Sequence, residues 1–255
     1  MADWNAAQYI KFEKERTQPS IDLLHRIDIL PRTALDLGCG PGNSTYQLAL
    51  RFPETDICGV DNSDDMLETA QKRYPELRFA KCNLPDGLDA LPKVDLVFAN
   101  ACLQWVPDHP HLLPRLMEQL NPGGALAVQM PIVQEARFYR AMDAVVAEEP
   151  WQKLQQVRNF HNLLPGQTYD ILAACTPEIE MWDTTYYHLV DSHEAILDWY
   201  GGSGLRPYLA KLTEAEQPLF RARLREMLTE QFPVQADGRI LLKMPRLFLI
   251  AKKRR

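Results

Sequence analysis

Positive charge is in deficit in this chain: 28 Lys and Arg stand against 34 Asp and Glu, a formal net charge of −6. The isoelectric point falls near 5.6. A broad nucleic-acid-binding surface needs a positive field, so the composition argues against that partner. The one basic run, Lys252-Lys253-Arg254-Arg255, reads as a solvated tail. Cysteines are dispersed at 39, 58, 82, 102 and 175 with no C-x-x-C pair, which fits reduced thiols. His109 and His111 flank Pro110 without a third ligand cluster, so no metal site is expected. No uninterrupted apolar run is long enough to cross a bilayer, and Met1-Ala2-Asp3-Trp4-Asn5 has neither a basic nor an apolar leader region. The expectation is a soluble, cytoplasmic protein with no membrane or nucleic-acid partner, a monomer being favoured.

At 255 residues and 46% hydrophobic, the chain can bury one large core. Its most informative stretch is Ala34-Leu35-Asp36-Leu37-Gly38-Cys39-Gly40-Pro41-Gly42-Asn43. A short apolar strand ends in a glycine turn that opens into a helix, a geometry that lets a ligand lie against bare main chain. A second strand ends in Asp61, followed by Asn62, at the distance where a carboxylate accepts hydrogen bonds from a ribose diol. The spacing is G-x-G-x-G, without the third glycine of the dinucleotide pattern G-x-G-x-x-G. Asp36, two residues ahead of the turn, would repel a pyrophosphate but suits a ligand carrying an ammonium or a sulfonium. S-adenosylmethionine (SAM) carries both, and a ribose. A nicotinamide-dependent oxidoreductase is the rival from another class, and a non-catalytic SAM-binding protein a third reading.

Strand and helix alternate through the first half, with strands at 33–37, 56–60, 77–81, 94–99 and 124–130 and helices near 43–51, 64–73 and 110–120. This rhythm predicts a Rossmann-like, doubly wound parallel sheet of the α/β class. Residues 5–29 read as helical with a break at Pro19, and Asn121-Pro122-Gly123-Gly124 as a helix stop and turn. Beyond Pro131 come helical stretches at 134–148, 151–158 and 169–174, then a strand over 178–190. A helical insert follows, with Thr213-x-x-Glu216 as a capping box, before a last strand at 240–251 that Pro245 marks as bulged or peripheral. The chain reads as one domain over 1–255, with a core of 30–130, 177–190 and 240–253. A helical cap would come from 1–29, 132–176 and 191–238.

The glycine turn, Asp61 and Asn100-Ala101-Cys102-Leu103-Gln104-Trp105 resemble the class I SAM-dependent methyltransferases. The resemblance narrows through Asp3-Trp4-Asn5, Leu103-Gln104-Trp105-x-Pro107-Asp108-His109, Ala127-Val128-Gln129-Met130-Pro131, Trp182-x-Thr184-x-Tyr186-Tyr187-His188, Gly204-Leu205-Arg206-Pro207 and Pro245-Arg246-Leu247-Phe248. In these the chain is similar to the trans-aconitate 2-methyltransferase family. That resemblance implies a seven-stranded sheet with an antiparallel last strand, SAM as cofactor and a small-molecule carboxylate, trans-aconitate, as acceptor of the methyl group. Where the family tends to carry Asp-Asn after Met-Pro, Ile132 and Val133 stand here, and Asn83 takes the place of an acidic residue near the adenine.

Candidate cofactor-binding residues are Asp36, Gly38, Gly40, Gly42, Asn43, Asp61, Asn62, Met66, Asn83, Leu84, Asn100, Ala101 and Trp105. A di- or tricarboxylate needs cations and neutral donors, for which Arg206, Arg246, Arg16, Tyr186, Tyr187, His188, Gln104, Gln129 and Trp4 are the candidates. Methyl transfer to a carboxylate needs no general base, because the nucleophile is ionised at neutral pH. Catalysis is expected from alignment and water exclusion, with no catalytic acid or base. Another small organic acid is the alternative acceptor.

Overall fold

The computed structural model describes residues 13–157 and 160–255. Its strands are β1 (Thr33–Leu37), β2 (Asp56–Asp61), β3 (Arg78–Lys81), β4 (Val94–Asn100), β5 (Leu120–Pro131), β6 (Ile179–Val190) and β7 (Ile240–Lys252). They form one seven-stranded sheet in the order β3-β2-β1-β4-β5-β7-β6. β1 pairs in parallel with β2 and β4, β2 with β3, and β4 with β5, whereas β7 runs antiparallel to β5. Strand order reverses between β1 and β4, and ligands of open α/β sheets bind outside the carboxyl ends of strands at such a point.

Burial follows position. β4 reads Val-Asp-Leu-Val-Phe-Ala-Asn and is almost wholly buried, as a central strand covered on both faces must be. β3, at the sheet's edge, is short and carries Arg78 and Lys81 in solvent, which discourages pairing with another chain. The helices are α1 (Glu13–His25), α2 (Asn43–Arg51), α3 (Asp64–Arg73), α4 (His109–Glu118), α5 (Arg137–Val146), α6 (Pro165–Ala173), α7 (His193–Gly201), α8 (Arg206–Leu209) and α9 (Glu216–Gln231). In α3 the Ser63 hydroxyl accepts from the Met66 N–H at 3.4 Å, with Asp64 and Asp65 in the first turn and Lys72 and Arg73 in the last. That arrangement satisfies the helix ends and complements the helix dipole.

Three proline- or glycine-based expectations are corrected. Pro19 lies inside α1 and does not break it. Its ring suits helical φ, so the helix loses a donor there but continues. Asn121–Gly124 lies within β5 rather than between helix and strand: the β4–β5 register shifts between Val94 and Leu96, and Gly123 takes φ +80°. A bulge absorbs the extra residues. For Pro245 the edge reading is the one overturned, since its strand is flanked on both sides. Facing Pro131 pairs with Arg246, and the Pro245 carbonyl accepts from the Ile132 N–H at 3.0 Å. Two residues without N–H thus sit where the β5–β7 ladder stops, so neither breaks an interior rung. The helix read at 151–158 is a single 3-10 turn, Trp151–Leu154.

The chain divides into two compact units. One holds the described part of Asp3–Pro131, with Phe160–Thr184 and Arg246–Arg255. Here α1 and α2 pack together, and the Asn43 amide donates to Thr17 Oγ1 at 2.9 Å. The other unit holds Ile132–Asn159 and Thr185–Pro245. In it α9 lies on α5 through fully buried Phe220, Leu224 and Leu228. Arg223 grips Glu148 with two hydrogen bonds of 2.7 Å, and Phe138 stacks on Tyr200 with centroids 3.5 Å apart. No described helix is long and apolar enough to cross a membrane.

The seating of α2 on β2 depends on Gly59. A Cβ there would stand 2.8 Å from Phe79 Cδ1 and Thr45 Oγ1 and 3.0 Å from Cys39 Cβ. Gly59→Ala should lower stability by about 1–3 kcal/mol through overpacking, read as a reduced urea midpoint with an unchanged denaturant slope.

Candidate functional site

The glycine turn between β1 and α2 is built by main-chain bonds to β2. Gly38 and Cys39 donate to the Val60 carbonyl at 2.8 and 3.0 Å. Gly38, Gly40 and Gly42 take φ of +65°, +54° and +88°, a region costly for side-chain-bearing residues. Two of the three are also required by packing. A Cβ on Gly38 would lie 2.2 Å from Cys102 Sγ, and one on Gly42 would meet Tyr74, Phe79 and Ala70. Gly40 is different: a Cβ there meets nothing within 4 Å. The middle of the turn therefore presents bare backbone to open space.

Asp61 clamps this turn. Its Oδ2 accepts from the Gly40 N–H and its Oδ1 from the Ser63 N–H, both at 2.9 Å. A carboxylate offers about four acceptor sites, so Asp61, half-buried, retains capacity for the hydroxyls of a ribose. Burial raises its pKa, opposed by the N–H groups of Ser63, Gly40 and Asn62. Beside it, Asn62 donates to Asn83 at 3.4 Å. Both asparagines are exposed, so the ends of β2 and β3 meet as a polar pair, with half-buried Leu84 next in the chain. Met66 is buried beneath them as core.

Asp36 and Asn43 are engaged by the first turn of α2 and by α1. The Asp36 side chain is 0% exposed, its Oδ2 accepting from the Ser44 and Thr45 hydroxyls at 2.7 Å each. α2 has no acidic residue in its first turn and no side-chain cap, so Asp36 supplies the anion that the helix N-terminus favours. Its Oδ1 is buried without a hydrogen-bond partner among the described residues. Burial pushes the Asp36 pKa up to about 7, with Asp61 adding to the rise and the two hydroxyls opposing it. Asn43 turns away to Thr17 of α1. Ser44, Thr45 and Thr17 were missed; a Ser-Thr pair opening the helix was the available signal.

At the carboxyl ends of β4 and β5 lies a group of side-chain amides. Asn100, Gln104 and Gln129 are 8%, 4% and 0% exposed. Asn100 Oδ1, Gln104 Oε1 and both amide atoms of Gln129 lack partners among the described residues. The main chain joins them: Ala101 donates to the Gln129 carbonyl at 2.9 Å, and the Ala101 carbonyl accepts from Gln104 Nε2 at 2.6 Å. Ala101 is thereby held at φ +53°, strain of a kind that clusters at functional sites. Trp105 packs on Phe160 with centroids 4.6 Å apart, and the His161 N–H donates to the Gln104 carbonyl at 2.9 Å. Asn162 donates to the Pro131 carbonyl at 2.9 Å. Phe160 and Asn162 come from a loop with no motif of its own. Arg16 on α1 and half-buried Arg246 on β7 belong to this same unit.

The remaining acceptor candidates lie in the other unit. Arg206 opens α8, half-buried, with one guanidinium nitrogen buried and without a partner among the described residues. Tyr186 and His188 share one face of β6, and His188 stacks on Trp199 at 4.8 Å. Strand alternation turns Tyr187 to the opposite face from Tyr186 and His188, 60% exposed. Trp4 lies outside the described residues. His109 is a core group bonded to the Leu103 carbonyl at 2.8 Å, and no cluster of three His, Cys, Asp or Glu among the described residues could hold a metal.

The buried carboxylate makes stability pH-dependent. With its folded pKa above the ordinary value, Asp36 holds its proton longer in the native state, so stability should fall as pH rises from about 4 to about 7 and level off above. Asp61 acts in the same direction. Asp36→Asn should flatten part of this slope, checked by urea midpoints across that range.

Comparison with known proteins places this architecture. A family model described as "Methyltransferase domain" matches residues 34–124. Among curated proteins, trans-aconitate 2-methyltransferase of Yersinia pestis (strain Pestoides F) is 44% identical over 100% of both chains. The protein of the same name from Methylobacterium nodulans (strain LMG 21967 / CNCM I-2342 / ORS 2060) is 45% identical, again over 100% of both. Among solved structures, Haemonchus contortus phosphoethanolamine N-methyltransferase 2, in complex with phosphomonomethylethanolamine and S-adenosylhomocysteine, superposes with a TM-score of 0.58. It is 20% identical over 93% of this chain and 53% of that one, so this chain spans about half its length and the likeness concerns the fold alone. With the class I sheet order, the open glycine turn and full-length identity in hand, the chain belongs to the trans-aconitate 2-methyltransferase family.

Proposed function

We propose that this protein transfers the methyl group of SAM to a carboxylate of trans-aconitate, giving a monomethyl ester. Full-length identity of 44% to proteins named for that reaction carries the reading. The site supports it. Gly40 faces open space, Asp61 has acceptor capacity for a ribose, and the Asn62–Asn83 pair offers polar contacts to a base. Buried Asp36 has an unmatched oxygen and no ion-pair partner among the described residues, and so favours a cation-bearing ligand through its field. When bound, SAM supplies an electrophilic methyl group and leaves as a neutral thioether.

The chain's own task is then to hold two reactants in line and keep water out. Within the unit that holds the glycine turn, Arg246 and Arg16 are the cations assigned to the acceptor's carboxylates. No proton need leave the nucleophile, so no general base is assigned. A different small polycarboxylic acid is the second reading, favoured by one observation. Ile132, in place of a polar residue, is buried at 8% exposure and tied by its N–H to the Pro245 carbonyl.

Mass spectrometry of the protein incubated with SAM and trans-aconitate, alongside cis-aconitate, citrate and isocitrate, tests the activity. A methyl ester of trans-aconitate in clear preference is expected; ester from another acid alone would select the second reading, and ester from none would end both. Asp61→Ala should weaken SAM binding about 10- to 100-fold, the range for losing a hydrogen bond to a charged group, while acceptor preference stays the same. Calorimetric titration with SAM measures this, and an unchanged affinity would remove Asp61 from the site.

A further inference from the structure

Gln129 poses a physical problem that the fold leaves unsolved. It sits in the middle of the sheet with no exposed surface, yet neither its amide N–H groups nor its carbonyl has a partner among the described residues. Buried polar groups are almost always hydrogen-bonded, and an exception calls for an explanation. Its main chain is satisfied, since its carbonyl accepts from Ala101. The side chain alone is left over.

Register shows what surrounds it. Gln129 pairs with Asn100 of β4 and with Phe248 of β7, and Pro131 pairs with Arg246. Directly paired residues share a face of a sheet, as do alternate residues along a strand. Asn100, Gln129, Phe248 and Arg246 therefore lie on one face, with Arg246 one diagonal step from Gln129, roughly 7–8 Å between Cα atoms. Asp61, on the clamp of the glycine turn, ends β2, three strands away across the carboxyl edge at about 4.8 Å per strand. The ribose-binding end and Gln129 are thus too far apart for one small group to touch both.

The unmatched atoms differ in sign across that edge. Asn100 Oδ1, on the strand next to β1, and Gln104 Oε1 are acceptors, whereas Gln129 also brings unmatched N–H donors. Acceptors suit a cationic ligand and amide donors suit a carboxylate. A second requirement separates the two donors on this face. An arginine neutralises the carboxylate it grips, whereas a neutral amide hydrogen-bonds it without adding a countercharge.

We propose that the Gln129 side-chain amide orients the carboxylate that receives the methyl group, while Arg246, one diagonal step away, holds a second carboxylate of the same acid. This rests on the functional reading above and assigns within it which group meets the nucleophile. Gln129 is a positioning donor, and the neutral character of the donor is what preserves the reactivity of the bound oxygen.

The test uses the full chain loaded with S-adenosylhomocysteine, into which trans-aconitate is titrated by calorimetry. Gln129→Leu, and Gln129→Met as a near-isosteric variant should the first fold poorly, are compared with the wild type. Acceptor affinity should fall about 10- to 100-fold, S-adenosylhomocysteine affinity should be unchanged, and the melting temperature should stay level or rise, because an unmatched buried amide has been removed. A lower melting temperature with unchanged acceptor affinity would make Gln129 a structural group bridged by buried water and overturn the proposal. Loss of S-adenosylhomocysteine affinity instead would move the amide to the cofactor side and overturn it too. A wild-type protein that binds S-adenosylhomocysteine but not trans-aconitate would defeat the functional reading itself, a result that the variants cannot mimic.

Discussion

The clamp between Asp61 and the Gly40 N–H is the interaction on which the site depends. One carboxylate, at the end of β2, holds the glycine turn through Oδ2 and caps the entry to α3 through the Ser63 N–H on Oδ1. The second contact is an Asx turn, which sets Ser63 in place as the N-cap of α3. β2, the turn and α3 thus share one anchor. Because the Gly40 N–H points inward to Asp61, the outer side of Gly40 stays open. The same side chain shapes the turn and keeps lone pairs for what binds there.

Around that anchor the unusual feature is charge without countercharge. Asp36 and Asp61 are both buried enough for their pKa values to rise, and the Asp61 charge adds to the rise at Asp36. Neither has an ion-pair partner among the described residues; hydroxyl and main-chain N–H donors hold them instead. Buried charges are normally paired, or they neutralise by taking up a proton. A cradle of this kind disfavours a pyrophosphate and favours a ligand that brings positive charge. Asp36 contributes without contact, since coulombic effects decay slowly where water is excluded.

Much of the fold was legible because β1 to β5 and the helices between them follow periodicity and turn chemistry, which are local. β1 at 33–37 and α3 at 64–73 were read to the residue. The misreadings at Pro19, Asn121–Gly124 and Pro245 share a cause. Proline and glycine announce a local change in the backbone, but whether the chain turns or carries on depends on what pairs with it. That Asp61 ends β2 beside the glycine turn was legible from spacing, and the Gly40 N–H on its Oδ2 shows the two meeting. Asp36 and Asn43 lay at the expected positions but point to Ser44, Thr45 and Thr17, a choice made by helix packing. That Gln129 would be sealed with an unmatched amide could not be read from Ala-Val-Gln-Met-Pro, because satisfaction of a side chain is a property of the assembled core.

The division of polar groups follows from the chemistry proposed. Joining a cation to an anion cancels charge, so water, which stabilises both separated ions, opposes the reaction. Excluding it strengthens every remaining electrostatic contact, including contacts that would hold the nucleophile too firmly. An active site for such a transfer therefore needs strong grips on spectator charges and weak, directional ones on the reacting atoms. Arginines serve the first purpose and carboxamides the second. The carboxamides at the ends of β4 and β5, unmatched among the described residues, are donors and acceptors of the second kind.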